Sequence, residues 1–235
     1  SDSEQLLAIA RALGPHFAGV ATHGGQSYAE RSPEGFVRVA QAEVDALRTA
    51  ATRLHAAGFP SDILSLGSSP TALAGVDATG VTEVRAGVYM FQDLVMAGLG
   101  VCAVDDIAIS VLVTVIGHQA AKGWLITDGG WMALSRDRGT SAQAVDQGYG
   151  LVCDVAGRPI ADLVMSGANQ EHGILSRRDG AAWDLSAYPV GTRLRILPNH
   201  ACATAAQFAG YHLMVGTRLT GEYWERFNGF GARER

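Results

Sequence analysis

Residues 63–71, Ile-Leu-Ser-Leu-Gly-Ser-Ser-Pro-Thr, decide how this chain is to be read. Ile63 to Leu66 make a short apolar strand, and Gly67-Ser68-Ser69-Pro70-Thr71 ends it in a turn rich in hydroxyls. Upstream, Ser32-Pro33-Glu34 opens a long helix, with Ser32 suited to the N-cap and Pro33 to the first helical position. Its apolar face (Phe36, Val37, Ala40, Val44, Leu47, Ala51, Leu54) runs to Gly58. Before it lies another predicted strand, Phe17 to Thr22, ending in His23-Gly24-Gly25, and before that a helix whose apolar positions Leu6, Leu7, Ile9, Ala10 and Leu13 stop at Gly14-Pro15. Downstream, a turn at Asp77-Ala78-Thr79-Gly80 leads into a third predicted strand, Thr82 to Val88. Strand, long helix, strand is the signature of parallel βα units.

The texture changes near residue 100. Ile107 to Ile116 is rich in β-branched residues, and Trp124 to Thr127, Gly150 to Val155, Gly173 to Ser176 and Thr192 to Leu197 follow as short strands between Gly, Asp and Pro turns. That is an antiparallel β pattern. The expected organisation is an α/β part over residues 1–100 and a mainly antiparallel β domain with a C-terminal tail over 101–235. Three parallel strands are too few for a closed (β/α)8 barrel, which usually takes about 250 residues. Parallel strands also need cover on both faces. The expectation is therefore that the remaining strands lie outside this sequence, leaving an exposed apolar edge along the first strand.

Composition excludes several classes. The 235 residues are 48% hydrophobic and 17% charged, too apolar for a disordered chain. No apolar run approaches a membrane span. A net charge of −5 and a pI near 5.8 argue against nucleic acid or an anionic membrane as partner. Three widely spaced cysteines (Cys102, Cys153, Cys202) suit a reducing compartment, and Ser1-Asp2-Ser3-Glu4 does not read as a secretory signal, so the cytoplasm is the expected location. Of the 18 basic residues, all but Lys122 are arginine.

The sharpest chemical signal is Pro198-Asn199-His200-Ala201-Cys202, directly after a predicted strand. In extended chain, residues i and i+2 share a face, so His200 and Cys202 could offer nitrogen and sulfur to one cation, a pair that suits zinc. The competing reading is a buried cysteine beside a hydrogen-bonded histidine. His172, in Asn169-Gln170-Glu171-His172-Gly173, is the best candidate for a third ligand, against the alternative of a strand-end turn. A second signal comes from the predicted strand ends. Gly67 to Thr71 and Arg85-Ala86-Gly87-Val88-Tyr89 offer hydroxyls, a guanidinium and an unhindered backbone to an anion, and His23 to Tyr28 adds a third polar rim. Most such loops are only turns. No dinucleotide or P-loop glycine motif and no Gly-x-Ser-x-Gly elbow is present.

Taken together, Thr22 to Tyr28, Gly67 to Thr71, Glu83 to Tyr89, Asp128-Gly129-Gly130, Glu171-His172-Gly173 and Pro198 to Cys202 resemble, in order, the D-serine dehydratase/D-threonine aldolase family of fold-type III pyridoxal-phosphate enzymes, related to alanine racemase. The resemblance spans nearly the whole chain. It implies the C-terminal part of a cofactor-holding (β/α) barrel followed by a metal-bearing β domain. It implies pyridoxal 5'-phosphate held by Ser68 or Ser69 with the Gly87 and Val88 backbone, with Tyr28 also at the cofactor. Arg85, steadied by His23, would face the pyridine nitrogen. His200 and Cys202 match the family's metal pair, for Zn2+ or alternatively Mn2+ or Mg2+, which would act on the substrate's β-hydroxyl.

The implied activity is a lyase acting on a D-3-hydroxy amino acid, with D-serine dehydratase-like loss of water and ammonia; the alternatives are a D-threonine or 3-hydroxy-D-aspartate aldolase, or a non-catalytic relative. A homodimer is implied by similarity. One departure is large: the family's Schiff-base lysine lies on the first barrel strand, and nothing in this chain corresponds to it. Lys122, in His118-Gln119-Ala120-Ala121-Lys122-Gly123, reads as a solvated turn between β-domain strands, so the chain by itself is expected to be inactive.

Overall fold

The computed structural model describes residues 4–227, so the C-terminal end of the predicted tail lies outside the described residues. The chain separates into two units, Ser1–Met90 with Leu99–Val101, and Phe91–Gly98 with Cys102–Arg235.

The first unit holds α1 (Glu4–Leu13), β1 (Gly19–Ala21), α2 (Pro33–Ala56), β2 (Ile63–Leu66), α3 (Ser69–Ala72) and β3 (Glu83–Val84). The strands form a parallel sheet in the order β1-β2-β3. Helix α2 starts as its sequence requires: the Ser32 hydroxyl accepts from the Gly35 N–H at 3.1 Å, with Pro33 at the first position. Val44 and Leu47 on its inner face pack with Leu66, and Val20, Val76 and Val81 close the cluster. The sheet is open. Among the described residues β1 pairs only with β2, and Ile9, Leu13 and Ile63 are exposed apolar side chains of this unit. Two strands are shorter than predicted. Phe17, Ala18 and Thr22 lie outside β1, and β3 is only Glu83–Val84, so Arg85 to Gly87 sit on the loop beyond the strand and Val88 opens a 3-10 turn.

The second unit is built on a closed six-stranded antiparallel barrel: β4 (Val111–Gln119), β5 (Trp124–Thr127), β6 (Gly150–Cys153), β7 (Pro159–Ala168), β8 (Gly173–Arg177) and β9 (Arg193–Pro198), in the order β4-β5-β8-β7-β6-β9. Alternation along β4 puts Val111, Val113 and Val115 inside, where they meet Leu125, Leu163, Met165, Leu175, Leu194 and Ile196. Closure leaves the barrel no free edge. Around it lie α4 (Leu94–Leu99, the last residue counted with the first unit), α5 (Ala201–Ala206) and a hairpin, β10 (Gly210–Val215) with β11 (Arg218–Glu225). No helix among the described residues is long and apolar enough to cross a membrane.

Candidate functional site

Strand β9 delivers Pro198, Asn199 and His200 at one end of the β barrel. The extended-chain argument for His200 and Cys202 does not hold. The strand stops at Pro198, His200 is the extended N-cap of α5 (φ −134°, ψ 102°), and Cys202 lies in the first helical turn. The turn nevertheless keeps the pair together, since Cys202 follows the N-cap by two residues and exerts the largest influence on the His200 imidazole. Cys202 is exposed and the His200 side chain is 44% exposed, so the pair faces open space. His200 is pushed up to about 9 by the hydrogen bond with Cys202, opposed by partial burial and reinforced by Asp137. A setting that draws a proton onto the ring also attracts a cation, which must displace that proton to bind.

Three side chains fix this turn. His200 Nδ1–H donates to Asp137 Oδ2 at 2.6 Å. Asn199, 2% exposed, donates to the carbonyls of Gly148 (2.7 Å) and Asp137 (3.1 Å) and accepts from the Thr140 hydroxyl at 2.9 Å. Asp93, 1% exposed, accepts from Ala201 N–H and Met96 N–H, both at 2.9 Å. Burial raises the Asp93 pKa, while the two N–H groups and the nearby His200 hold it down. The Ala201 amide between the two candidate ligands is thus tied by one carboxylate and the His200 ring by another. His172 does not complete a metal site. It lies in the turn between β7 and β8, where its carbonyl accepts from Asn169 N–H, and no cluster of three metal-ligating side chains occurs among the described residues. A cation held by His200 and Cys202 would keep its other positions open.

In the first unit, the predicted anion-binding residues gather at the C-terminal ends of the parallel strands. Ser68 and Ser69 are buried. Ser68 shares a 2.9 Å hydrogen bond with Thr71, its hydroxyl lies 3.5 Å from that of Ser27, and Ser69 Oγ accepts from Tyr89 N–H at 3.2 Å. The last bond ties the Gly67–Thr71 loop to the loop of Gly87 and Val88. A Cβ at Gly87 would meet nothing within 4 Å, so open space stands against that backbone. No described acceptor engages the Gly87 or Val88 N–H. Buried hydroxyls beside unengaged amides and open space fit the phosphate end of a cofactor. Tyr28 lies in the turn after β1, where its carbonyl accepts from Arg31 at 3.0 Å.

Arg85 is not steadied by His23. Its guanidinium donates to the Ser65 hydroxyl and the Thr22 carbonyl, and Ser65 in turn donates to Glu83 at 2.8 Å. His23 instead donates from Nδ1 to the Gly67 carbonyl at 2.9 Å. Lys122 is exposed and stacks over the Trp124 ring at 4.4 Å, on the barrel unit. Asp137 and Asp93 were not legible as site residues: they stand 63 and 108 positions from their partners, in segments without a motif.

Two family models match the chain in succession: the N-terminal domain of alanine racemase over residues 1–94, and a serine dehydratase domain over residues 108–214. D-threo-3-hydroxyaspartate dehydratase of Delftia sp. (strain HT23) is 55% identical over 234 residues, 97% of this chain and 61% of the relative. Its solved structure aligns at a TM-score of 0.87, covering 96% of this chain and 60% of that one. D-serine dehydratase of Dictyostelium discoideum is 30% identical over 205 residues, 84% of this chain and 51% of the relative. D-threonine aldolase from Filomicrobium marinum, at 20% identity and a TM-score of 0.67 over 93% of this chain and 56% of that one, shares the fold. The chain therefore spans between about half and three-fifths of these relatives. With these matches running in order along it, the chain belongs to the D-serine dehydratase family of alanine racemase-like proteins.

Proposed function

We propose that this chain is the C-terminal portion of a pyridoxal-phosphate- and metal-dependent lyase that removes water and ammonia from a D-3-hydroxy amino acid. The observation that carries the reading is the pairing of His200 with Cys202 on a turn fixed from two sides by carboxylates. Solved structures of D-threo-3-hydroxyaspartate dehydratase include a cysteine-to-alanine variant in the metal-free form and a histidine-to-alanine variant, which suits a metal role for these residue types. On this reading the parallel sheet is the C-terminal part of a (β/α) barrel, residues 1–100 hold the cofactor, residues 101–235 bear the metal, and the protein acts as a cytoplasmic homodimer.

The residues then divide the work. Ser68 or Ser69, with the Gly87 and Val88 amides, would hold the cofactor phosphate, and Tyr28 and His23 would line the same rim. Arg85 would present its guanidinium to the pyridine nitrogen, held rigid by Ser65 and the Thr22 carbonyl. His200 and Cys202 would hold the cation, Zn2+ on the nitrogen/sulfur chemistry, with Mn2+ or Mg2+ as alternatives. When bound, pyridoxal phosphate supplies an electron sink for charge at Cα, and the cation supplies Lewis acidity at the β-hydroxyl. Cys202 favours the dehydratase over the aldolase, since the family's aldolase-like members resemble a His-x-Asp form. Lys122 is exposed and stacks over the Trp124 ring, on the unit that does not carry the residues proposed for the cofactor.

The test is reconstitution. Alone, with pyridoxal phosphate and Zn2+, the chain is expected to turn over neither D-serine nor D-threo-3-hydroxyaspartate. Joined to a lysine-bearing N-terminal segment of the family's kind, it should release ammonia and a 2-oxo acid, and His200→Ala should remove most of that activity. Glycine and an aldehyde as products would establish the aldolase instead. No reaction from a folded, cofactor-loaded fusion would overturn the reading.

A further inference from the structure

Asp137 occupies a position that motif and resemblance leave without a role. It lies in the segment between β5 and β6, flanked by two arginines, and the ordinary outcome would be an ion pair with one of them. Both are engaged elsewhere. Arg136 stacks over the Trp131 ring at 5.5 Å; Arg138 pairs with Asp146 at 2.7 Å and lies over the Tyr149 ring at 5.1 Å. Among the described residues, the Asp137 carboxylate is left for one partner, His200 Nδ1, at 2.6 Å. Its backbone is also fixed. The Asp137 N–H donates to Ser135 Oγ at 3.1 Å, and its carbonyl accepts from Asn199 Nδ2 at 3.1 Å. Asn199 is the residue before His200, so the clamp is reciprocal: Asn199 holds the Asp137 main chain while the Asp137 side chain holds the His200 ring.

A carboxylate can only accept, so this bond keeps a proton on Nδ1 and leaves Nε2 as the nitrogen that gives up its own proton when a cation binds. We propose that Asp137 is a positioning residue for the metal centre, fixing the rotation and tautomer of His200 so that Nε2 faces a divalent cation shared with Cys202. The inference rests on the metal reading above and adds the group that orients one of its ligands. Carboxylate partners of this kind raise ligand basicity, and their loss typically weakens metal binding by about 10–100-fold. Asp137 is assigned the orienting role and not a ligand's, since no cluster of three metal-ligating side chains occurs among the described residues. With only two protein ligands, the geometry of each matters more than in a closed four-ligand site. An imidazole 44% exposed and free to rotate would lose the second nitrogen as readily as it offered the first.

The full chain should be titrated with Zn2+ against a competing chelator, and the zinc-loaded, nitrogen-15-labelled chain examined by long-range proton–nitrogen correlation of its histidine rings. In the parent chain, His200 is expected to show a metal-shifted Nε2 and a protonated Nδ1. Asp137→Ala should weaken zinc binding by about 10–100-fold and abolish the single ring state without changing the melting temperature. Asp137→Asn, which keeps an acceptor and drops the charge, should recover part of the affinity and the Nδ1–H signal. A purely structural Asp137 would move the melting temperature and leave the ring state alone. Unchanged affinity and ring spectrum in both variants would overturn the assignment while leaving the metal site standing. Zinc binding that survives His200→Ala would overturn the metal reading, and the role of Asp137 with it.

Discussion

Glu43 lies on the inner face of α2, 4% exposed, and neither carboxylate oxygen has a hydrogen-bond partner among the described residues. It crowds the turn after β1, since a Cβ at Gly24 would stand 2.6 Å from Oε2. A buried carboxylate without a donor is costly, so Glu43→Met, which keeps the bulk and the helix propensity, is expected to stabilise this chain by about 1–3 kcal/mol in chemical denaturation. A lower unfolding free energy would show that Glu43 has a donor after all. Helical spacing puts Glu43 on the inner face, three residues after Ala40 and four before Leu47, but its charge hides it from a reading that follows apolar residues alone. His200 and Cys202 could be read from sequence because three residues carry the whole signal. Asp137 could not, since its only link to them is a fold that brings 63 residues back on themselves.

At the scale of elements, the long helix and the short apolar strands were legible because each repeats one local period. Strand β7 was not: Pro159 opens it, Asp162 takes a left-handed φ of 60°, and the pairing register shifts between Met165 and Gly167, so the two-residue alternation is broken. The hairpin β10–β11 was missed for a related reason, because most of its residues face outward and supply no inner apolar face to read. The same closeness of strands gives a prediction. Gly173 starts β8, where a Cβ would fall 2.5 Å from the Gly129 carbonyl oxygen and 2.6 Å from Met165 Cε and Thr127 Oγ1. Backbone cannot yield as a flexible side chain can. Gly173→Ala is therefore expected to cost about 1–3 kcal/mol and lower the melting temperature; an unchanged melting temperature would contradict this close approach of the strands.

For the whole molecule, local patterns announced an α/β part and a β part but not the closure of the second. Closure depends on β4 pairing with both β5 and β9, partners 5 and 74 residues beyond its end, and no spacing rule carries that information. The open parallel sheet was anticipated from strand number alone, and the solitary lysine from composition. Lys122 stands on an exposed turn, and the chain matches about three-fifths of the Delftia dehydratase. The residues proposed for the phosphate and those proposed for the metal belong to separate units of the chain, so each role needs its own test. The metal claim is central, and X-ray absorption at the zinc edge on the purified, zinc-loaded chain tests it most directly. One sulfur at about 2.3 Å and one imidazole nitrogen at about 2.0–2.1 Å are expected, with lighter oxygen neighbours filling the remaining positions. A zinc shell of oxygen and nitrogen without sulfur, or one unchanged by Cys202→Ala, would contradict the account.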